Sequence, residues 1–355
     1  MRKSLVGVAL AAAVTLSLVG CADDGTGNGG ASGEEITIAW ISPDATSSAR
    51  WEEKDWPAFE KAVKEIEPDA KLIQSTASSD AEMLQQAEAA VTQGATVLVV
   101  NPITSDGALP IADLAKRENI ALIAYEGLIE DAELDGYITF NNQKVGELQA
   151  QYIVDNAGAD PTIAIMNGAQ VCTACIAFKV GAHEVFDPLA DAGDITIGYE
   201  ADTPDWLTAN AQTQTEQALT ALNDDVQGIL AANDGLAQGV IAALKARALN
   251  GKVVVTGQDA TTAGLQEILL GNQTMTVYKD FNIQAQAAAK AAVALARGES
   301  DTGLDEEYDN GGHSIPALFL DPIALDKSNI ARVIDDGFIT RDELCTGEAA
   351  ASCDF

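Results

Sequence analysis

Short apolar runs alternate with segments of helical periodicity along most of the chain, beginning near residue 36. The runs include ITIAWI, ATVLVVNP, IALIAYE, TIAIMNG, VQGILAAND and KVVVTGQD, and apolar residues at helical spacing separate them. Continuous apolar strands with intervening helices are typical of parallel sheets that helices cover on both faces. Ten or more such strands are too many for one sheet, so the pattern predicts an α/β fold with two doubly wound lobes.

The carboxyl ends of the predicted strands carry polar side chains. Among them are Asn101, Glu126, Asn233, Asp259 and Lys279. In doubly wound sheets, ligands bind beyond these strand ends. A single one, such as Asp259, could instead cap the helix that follows it. Because polar side chains occur at the ends of so many strands, we expect them to line a ligand-binding cleft. Carboxylate, amide and ammonium groups suit the hydroxyls of a neutral sugar-like ligand.

Two tryptophans at predicted helix starts are candidates for contact with a sugar ring. Trp206 directly follows a strand end, and Trp51 lies beside Arg50. An indole offers a flat apolar face to the C–H side of a sugar. Core packing is the alternative for both; the position of Trp206 favours the ligand, and that of Trp51 leaves the two interpretations balanced.

Catalytic signatures are missing from the sequence. It contains no G-x-S-x-G, Walker A, H-E-x-x-H or G-x-G-x-x-G motif in the required context, and only His183 and His313 supply imidazoles. Glu126, Asp234 and Asp259 could supply a glycosidase-type carboxylate pair, but nothing in the sequence sets their separation. We therefore predict no enzyme, no catalytic residues, no cofactor and no metal. The net charge of −34 argues against nucleic acid as a partner.

Residues 1–21 have the pattern of a secretory signal. Arg2 and Lys3 precede the apolar run LVGVALAAAVTLSLVG, which ends in LVGC at Cys21. This ending is similar to the bacterial lipobox and predicts lipidation of Cys21. A transmembrane anchor is the alternative, although the run is short for a bilayer. Residues 22–34 predict a flexible tether, so we expect a lipoprotein on the outer face of the cytoplasmic membrane.

Four further cysteines form two local couples, Cys172 with Cys175 and Cys345 with Cys353. Proximity favours a disulfide within each couple, though four cysteines allow three connectivities. C-x-x-C is also a redox motif that opens a helix after a strand in thioredoxin-like domains. The second half of that domain pattern is missing here, so a structural disulfide is favoured. No histidine accompanies the C-x-x-C pair, which disfavours zinc.

Four segments resemble the periplasmic sugar-binding proteins of ABC importers, and most closely their D-xylose-binding branch. They are ARWEEKDWPAFEKA, TFNNQKVGELQAQ, TGQDATTAGLQEILLGNQTMTVYKD and LDPIALDKSNIARVIDDGF, and the resemblance runs from about residue 35 to 338. It implies a monomeric type I periplasmic binding protein with a three-strand hinge, which closes on a sugar and delivers it to membrane permease subunits. The implied ranges are 35–140 with 279–312 for lobe one, 141–278 with 313–342 for lobe two, and 343–355 for a C-terminal tail.

Position by position, the resemblance implies that several residues contact the sugar. They are Arg50, Trp206, Asn233, Asp259 and Lys279, and Asn101 occupies a strand end that contacts ligand in ribose-type members.

Two stretches depart from the pattern of the family. Its Tyr-Asp-Arg strand end is Tyr125-Glu126-Gly127 here, and its Asp-Asn-Asn-Ala loop is replaced by Cys172-Thr173-Ala174-Cys175. A disulfide is expected to hold that loop. Losing an arginine and an amide changes which hydroxyls are recognised. The expected ligand is a xylose-like aldose, with a hexose, a polyol or a nucleoside-like solute as alternatives; a sugar-active enzyme is the alternative from another class.

Overall fold

The computed structural model describes residues 36–355, so the predicted signal, Cys21 and the tether lie outside the described residues. Strands are β1 Thr37–Pro43, β2 Lys71–Ala77, β3 Val97–Val100, β4 Ala121–Tyr125, β5 Gly136–Phe140, β6 Thr162–Asn167, β7 Thr196–Asp202, β8 Gly228–Ala231, β9 Val254–Val255, β10 Met275–Tyr278, β11 Glu306–Asn310, β12 His313–Leu320 and β13 Ile323–Asp326. Helices are α1 Trp56–Ile66, α2 Asp80–Thr92, α3 Ser105–Glu118, α4 Asn142–Asn156, α5 Thr173–Ala192, α6 Thr208–Ala221, α7 Asp234–Ala246, α8 Thr262–Leu270, α9 Phe281–Ala296, α10 Arg332–Asp335 and α11 Arg341–Leu344.

The first sheet has the strand order β11-β12-β5-β4-β3-β1-β2 and is parallel except for the edge strand β11. Both faces are covered, which explains the continuous apolar runs. In β1, Ile38 and Trp40 pack on the side of α1 and α9, whereas Ala39 and Ile41 pack on the side of α2 and α3. Successive residues of a strand point to opposite faces, and here both faces need apolar side chains.

The second sheet region consists of the parallel order β7-β6-β8-β9 and the antiparallel pair β10-β13. A parallel bridge between Gln258 and Val277 connects the two parts. Helices α4 and α5 approach closely because glycines meet at their contact. A Cβ on Gly146 or on Gly181 would overlap a backbone carbonyl of the facing helix. The VGELQA segment therefore requires its glycine for packing.

The chain passes three times between the two sheet regions, after Phe140, after Tyr278 and between Leu320 and Ile323. The predicted boundary at residues 312 and 313 is wrong. Strand β12 pairs in parallel with β5, with Ala317 opposite Tyr137, so residues 313–320 belong to the first sheet. The division into two lobes that move relative to each other stays a prediction.

The C-terminal residues are folded rather than forming a free tail. Leu344 is buried in the cluster that includes α8 residues, and the Gln266 side chain donates to its carbonyl at 3.1 Å. Both predicted disulfides are present, Cys172–Cys175 and Cys345–Cys353. Within residues 36–355, no helix combines the length and the apolar character needed to cross a bilayer.

Candidate ligand-binding cleft

A cavity of about 610 Å³ lies where the carboxyl ends of strands from both sheet regions meet. This volume is typical of small-molecule sites. Eight of the nine predicted ligand-binding residues line it, namely Arg50, Trp51, Asn101, Glu126, Trp206, Asn233, Asp259 and Lys279. Thr173 does not. Its hydroxyl instead accepts a hydrogen bond from the Leu128 backbone N–H at 3.1 Å, because it stands at the start of α5 and faces the loop after β4.

The side chain of Arg50 is held in place by the carboxylate of Asp55, a residue that was not among the predicted site residues. Asp55 is fully buried and accepts from Arg50 Nε at 3.1 Å and Nη2 at 2.8 Å. The intervening residues form a π-helical turn, Trp51–Asp55. A turn with five-residue spacing brings these two side chains together, and such turns are frequent at functional sites. Tyr125 donates to the same carboxylate at 2.6 Å.

The guanidinium of Arg50 uses its full set of donors. Besides the two bonds to Asp55, it donates to Glu126 at 3.2 Å, to Gln284 at 3.2 Å and to Asp259 at 3.5 Å. Its plane lies over the Phe281 ring, 3.6 Å from the centroid. Burial lowers the pKa of Arg50, but Asp55, Glu126 and Asp259 raise it above its usual value, so the group is a permanent cation. The bond to Asp259 is the longest and the one most easily exchanged for a ligand hydroxyl.

Glu126 is one of two carboxylates, with Asp259, that contact both cations. Lys279 donates to Glu126 at 2.8 Å and Gln284 at 3.1 Å, in addition to Arg50. Burial raises the pKa of Glu126, but Lys279 and Arg50 outweigh this effect, and the pKa falls to about 2. Its backbone has a φ of 61°. A non-glycine residue in this region is strained and is frequent at binding sites.

Asp259 does not cap the helix that follows it. Thr261 is the N-cap of α8, and its side chain accepts from the Gly264 backbone N–H. One oxygen of Asp259 contacts Lys279 at 3.1 Å and Arg50 at 3.5 Å. Among the described residues, its other oxygen has no hydrogen-bond donor. The residue is 5% exposed and has a φ of 92°. Its carboxylate is therefore held in a strained backbone position with one oxygen available.

The buried charges of the site leave an excess of acceptors. Two cations, Arg50 and Lys279, face three carboxylates, Asp55, Glu126 and Asp259. Neutral hydroxyls can donate to the surplus acceptor, whereas an anionic ligand would be repelled. The arrangement therefore favours neutral polar ligands over anionic ones.

Two tryptophan rings, Trp206 and Trp51, form part of the cavity wall. The Trp206 indole lies so close to Gly168 that a Cβ at this glycine would overlap the ring. It is partly buried and packs both against the core of the second sheet region and against Phe178. Trp51 is 9% exposed, lies under the Arg50 guanidinium at 4.2 Å and donates to Ser47 at 3.2 Å. Both therefore combine packing with exposure to the cavity.

Two amides at strand ends complete the polar lining. Asn233 is the N-cap of α7, since its oxygen accepts from the Leu236 N–H at 2.8 Å. Within the described residues, its Nδ2 and the Asn101 side chain make no hydrogen bond, and both residues are buried at the cavity. Gln258, which the prediction omitted, also lines the cavity, and its Oε1 has no partner among the described residues.

Asp234, one of the carboxylates considered for catalysis, has a structural role. It accepts from Gln273 and Thr276 at 2.8 Å each and from the Thr261 N–H at 2.8 Å. Burial, together with the nearby Asp259 carboxylate, raises its pKa to about 7, although the hydrogen bonds that it accepts act in the opposite direction. Because it joins α7 to the starts of α8 and β10 outside the cavity, it supplies no acid or base to a bound ligand.

The fold and cleft define a solute-binding protein of the periplasmic type. The chain belongs to the periplasmic binding protein family, since the model for the periplasmic binding protein domain matches residues 38–300. It is 38% identical to the D-xylose-binding periplasmic protein of Escherichia coli K12 over 83% of this chain and 88% of that protein. The multiple sugar-binding receptor ChvE of Rhizobium radiobacter is 32% identical over 74% and 79% of the two chains.

Solved structures agree with this assignment. A carbohydrate-transporter solute-binding protein of Chloroflexus aurantiacus in complex with D-glucose superposes with a TM-score of 0.79 and 28% identity, over 87% of this chain and 98% of that one. These relatives are binding proteins and not enzymes. The chain is therefore a binding protein of the periplasmic type.

Proposed function

We propose that the cleft captures a xylose-like aldose between two closing lobes and delivers it to the permease of an ABC importer. The observation that carries the proposal is the set of buried polar groups with hydrogen-bonding capacity left over. The free Asp259 oxygen and the Asn101 and Asn233 amides line one cavity with Trp206. Such a set can bind the hydroxyls of a sugar while the indole covers one face of the ring.

The relatives support a sugar of this class, because two proteins that bind D-xylose are 38% identical to the chain. A second candidate ligand is an acyclic polyol. A xylitol-binding protein of Mycolicibacterium smegmatis is 25% identical over 97% of the chain, and Gly127 stands where the D-xylose branch has an arginine. Every oxygen of an acyclic polyol is a hydroxyl that can donate, whereas the ring oxygen of a cyclic aldose can only accept, so a site with one donor fewer favours the polyol.

A thermal-shift screen of the purified protein tests this function. A sugar present at a hundred times its Kd stabilises the folded state by about 2.7 kcal/mol. The screen covers pentoses, hexoses and the corresponding polyols, and each solution is analysed afterwards by chromatography. We expect stabilisation by an aldose and recovery of that sugar unchanged. Stabilisation by polyols alone assigns the second candidate ligand, and a released product contradicts a binding function.

We also propose that the protein is a monomer held outside the cytoplasmic membrane by lipid on Cys21. The signal pattern of residues 1–21 and the extracytoplasmic setting of the family support this location. The variant Cys21→Ala should leave the membrane fraction and retain sugar binding. If it stays with the membrane after high-salt washing, the apolar segment is an uncleaved anchor instead.

A further inference from the structure

The Cys172–Cys175 disulfide lies in the wall of the ligand cleft. Both cysteines line the cavity. Cys172 is partly exposed and packs in the same apolar cluster as Phe178 and Trp206, while Cys175 is 3% exposed. The other disulfide, Cys345–Cys353, packs against the cluster around α8 and does not line the cavity. A ligand in the cleft can therefore cover the first disulfide and leave the second unchanged.

The local structure resembles that of reactive C-x-x-C pairs. The pair follows β6 and opens α5, a helix of 20 residues. Cys172 is the N-cap, and its sulfur accepts from the Cys175 backbone N–H at 3.2 Å. Cys175 is the third residue of α5, and the partial positive charge of the helix N-terminus stabilises a thiolate in this first turn, which makes Cys175 a better leaving group in exchange. The sequence favours a structural disulfide because the second half of the thioredoxin-like pattern is missing, but the strand and the helix that flank a reactive pair are both present.

The same loop contacts the opposite side of the cleft. Thr173, between the two cysteines, accepts from the Leu128 N–H at 3.1 Å. Leu128 follows β4 of the first sheet, whereas α5 covers the second sheet region. The conformation of the two residues that the disulfide encloses thus sets a contact between the two sides of the ligand cavity.

We propose that Cys172–Cys175 is a thiol–disulfide exchange site whose reduction is coupled to ligand binding. A thiolate of a low-molecular-mass thiol attacks the sulfur of the partly exposed Cys172, the bond between the cysteines breaks, and Cys175 leaves as a thiolate that takes up a proton. A second thiol attacks the mixed disulfide, which releases the disulfide of the reductant and the Cys172 thiol. Two thiols are oxidised, and one protein disulfide is reduced to two thiols.

Ligand binding and reduction of the disulfide are coupled in two ways, through steric access of the thiol and through thermodynamic linkage. A bound ligand blocks the approach of the thiol, so only the unliganded fraction reacts. At a hundred times Kd, reduction should slow by up to about a hundredfold. If reduction loosens the loop and weakens binding, then by thermodynamic reciprocity the ligand must shift the exchange equilibrium toward the disulfide by the same factor. The proposal rests on the proposed function, since protection requires a ligand that fills this cleft.

The test measures the reduction rate of both disulfides in one sample. The purified protein is incubated with reduced glutathione, with and without D-xylose or whichever sugar the thermal screen selects. Free thiols are alkylated over time, and peptides are quantified by mass spectrometry. We expect Cys172–Cys175 to be reduced at least tenfold faster than Cys345–Cys353 without sugar, and to be slowed at least tenfold by saturating sugar. The rate at Cys345–Cys353, the internal control, should change less than twofold.

The outcomes separate the two proposals. Binding of the sugar without protection of Cys172–Cys175 overturns the exchange proposal and leaves the proposed function standing. If no sugar binds, the proposed function fails, and equal rates at the two disulfides then overturn the exchange site as well. The double variant Cys172→Ser with Cys175→Ser gives an independent measurement, because serine keeps the N-cap. The Kd of this variant should be at least three times higher than that of the parent protein. An equal Kd contradicts the coupling.

Discussion

Replacing Asp259 by asparagine isolates the charge of the available acceptor. Asparagine tolerates the left-handed backbone that this position requires, as aspartate does. The substitution removes one of three buried carboxylates and leaves two, Asp55 and Glu126, with the two cations Arg50 and Lys279. The buried charges then balance, so we expect the melting temperature to stay within a few degrees of that of the parent protein.

Sugar binding should weaken strongly in this variant. A hydrogen bond to a charged acceptor contributes about 1.5–3 kcal/mol. Loss of one such bond therefore weakens the affinity by a factor between about 10 and 150, since 1.4 kcal/mol corresponds to a factor of ten. Calorimetric titration of parent and variant with the same sugar measures the ratio.

Thr261→Ala is the matched control, because Thr261 carries the cap that Asp259 does not. Loss of the cap should cost about 1 kcal/mol of unfolding free energy and leave the Kd unchanged. If Asp259→Asn binds the sugar as the parent protein does, or if both variants lose affinity equally, the assignment of Asp259 as a ligand acceptor is wrong.

Three further substitutions test the support of the site. Because the pKa of Glu126 is about 2, below its usual value, its stabilising effect is complete above about pH 5 and is lost as the pH falls toward 2. This stabilising effect is on the order of 3 kcal/mol. The unfolding free energy of Glu126→Gln should therefore decline less steeply than that of the parent protein between about pH 5 and pH 2, as measured by acid denaturation. Parallel curves for the two proteins would contradict this expectation. Asp55→Asn should lower the unfolding free energy by roughly 3 kcal/mol, because Arg50 loses its buried bidentate partner; a change below 1 kcal/mol in urea denaturation argues against it. Gly168→Ala should displace the Trp206 ring, alter tryptophan fluorescence and weaken sugar binding, whereas an unchanged spectrum and Kd would show that the ring does not depend on this glycine.

The alternation of strands and helices could be predicted from the sequence because apolar periodicity is a local signal. Pairing is not local. The run SIPALFL reads as a strand, but nothing in it says that it pairs with β5 rather than with β10. Edge strand β11 has four exposed residues out of five, Glu306 to Asp309, and so carries no apolar pattern to detect.

The lining of the cavity was predictable where a residue's location follows from its position at a strand end, as for Asn101, Asp259 and Lys279. The site was not predictable where a side chain acts through a neighbour. Asp55 lies five residues after Arg50, a spacing that an α-helix does not place on one face and a π-helical turn does. Gln284 reaches Glu126 from α9, more than 150 residues away in sequence, which no local pattern reveals.

Calorimetry of residues 35–355 against a panel of pentoses and hexoses, D-xylose included, tests the central claim most directly. The account predicts binding of one aldose molecule per protein molecule, with the sugar recovered unchanged and the affinity reduced at least tenfold by Asp259→Asn. Absence of binding heat with every sugar at several temperatures, or conversion of the bound sugar into a product, would contradict it.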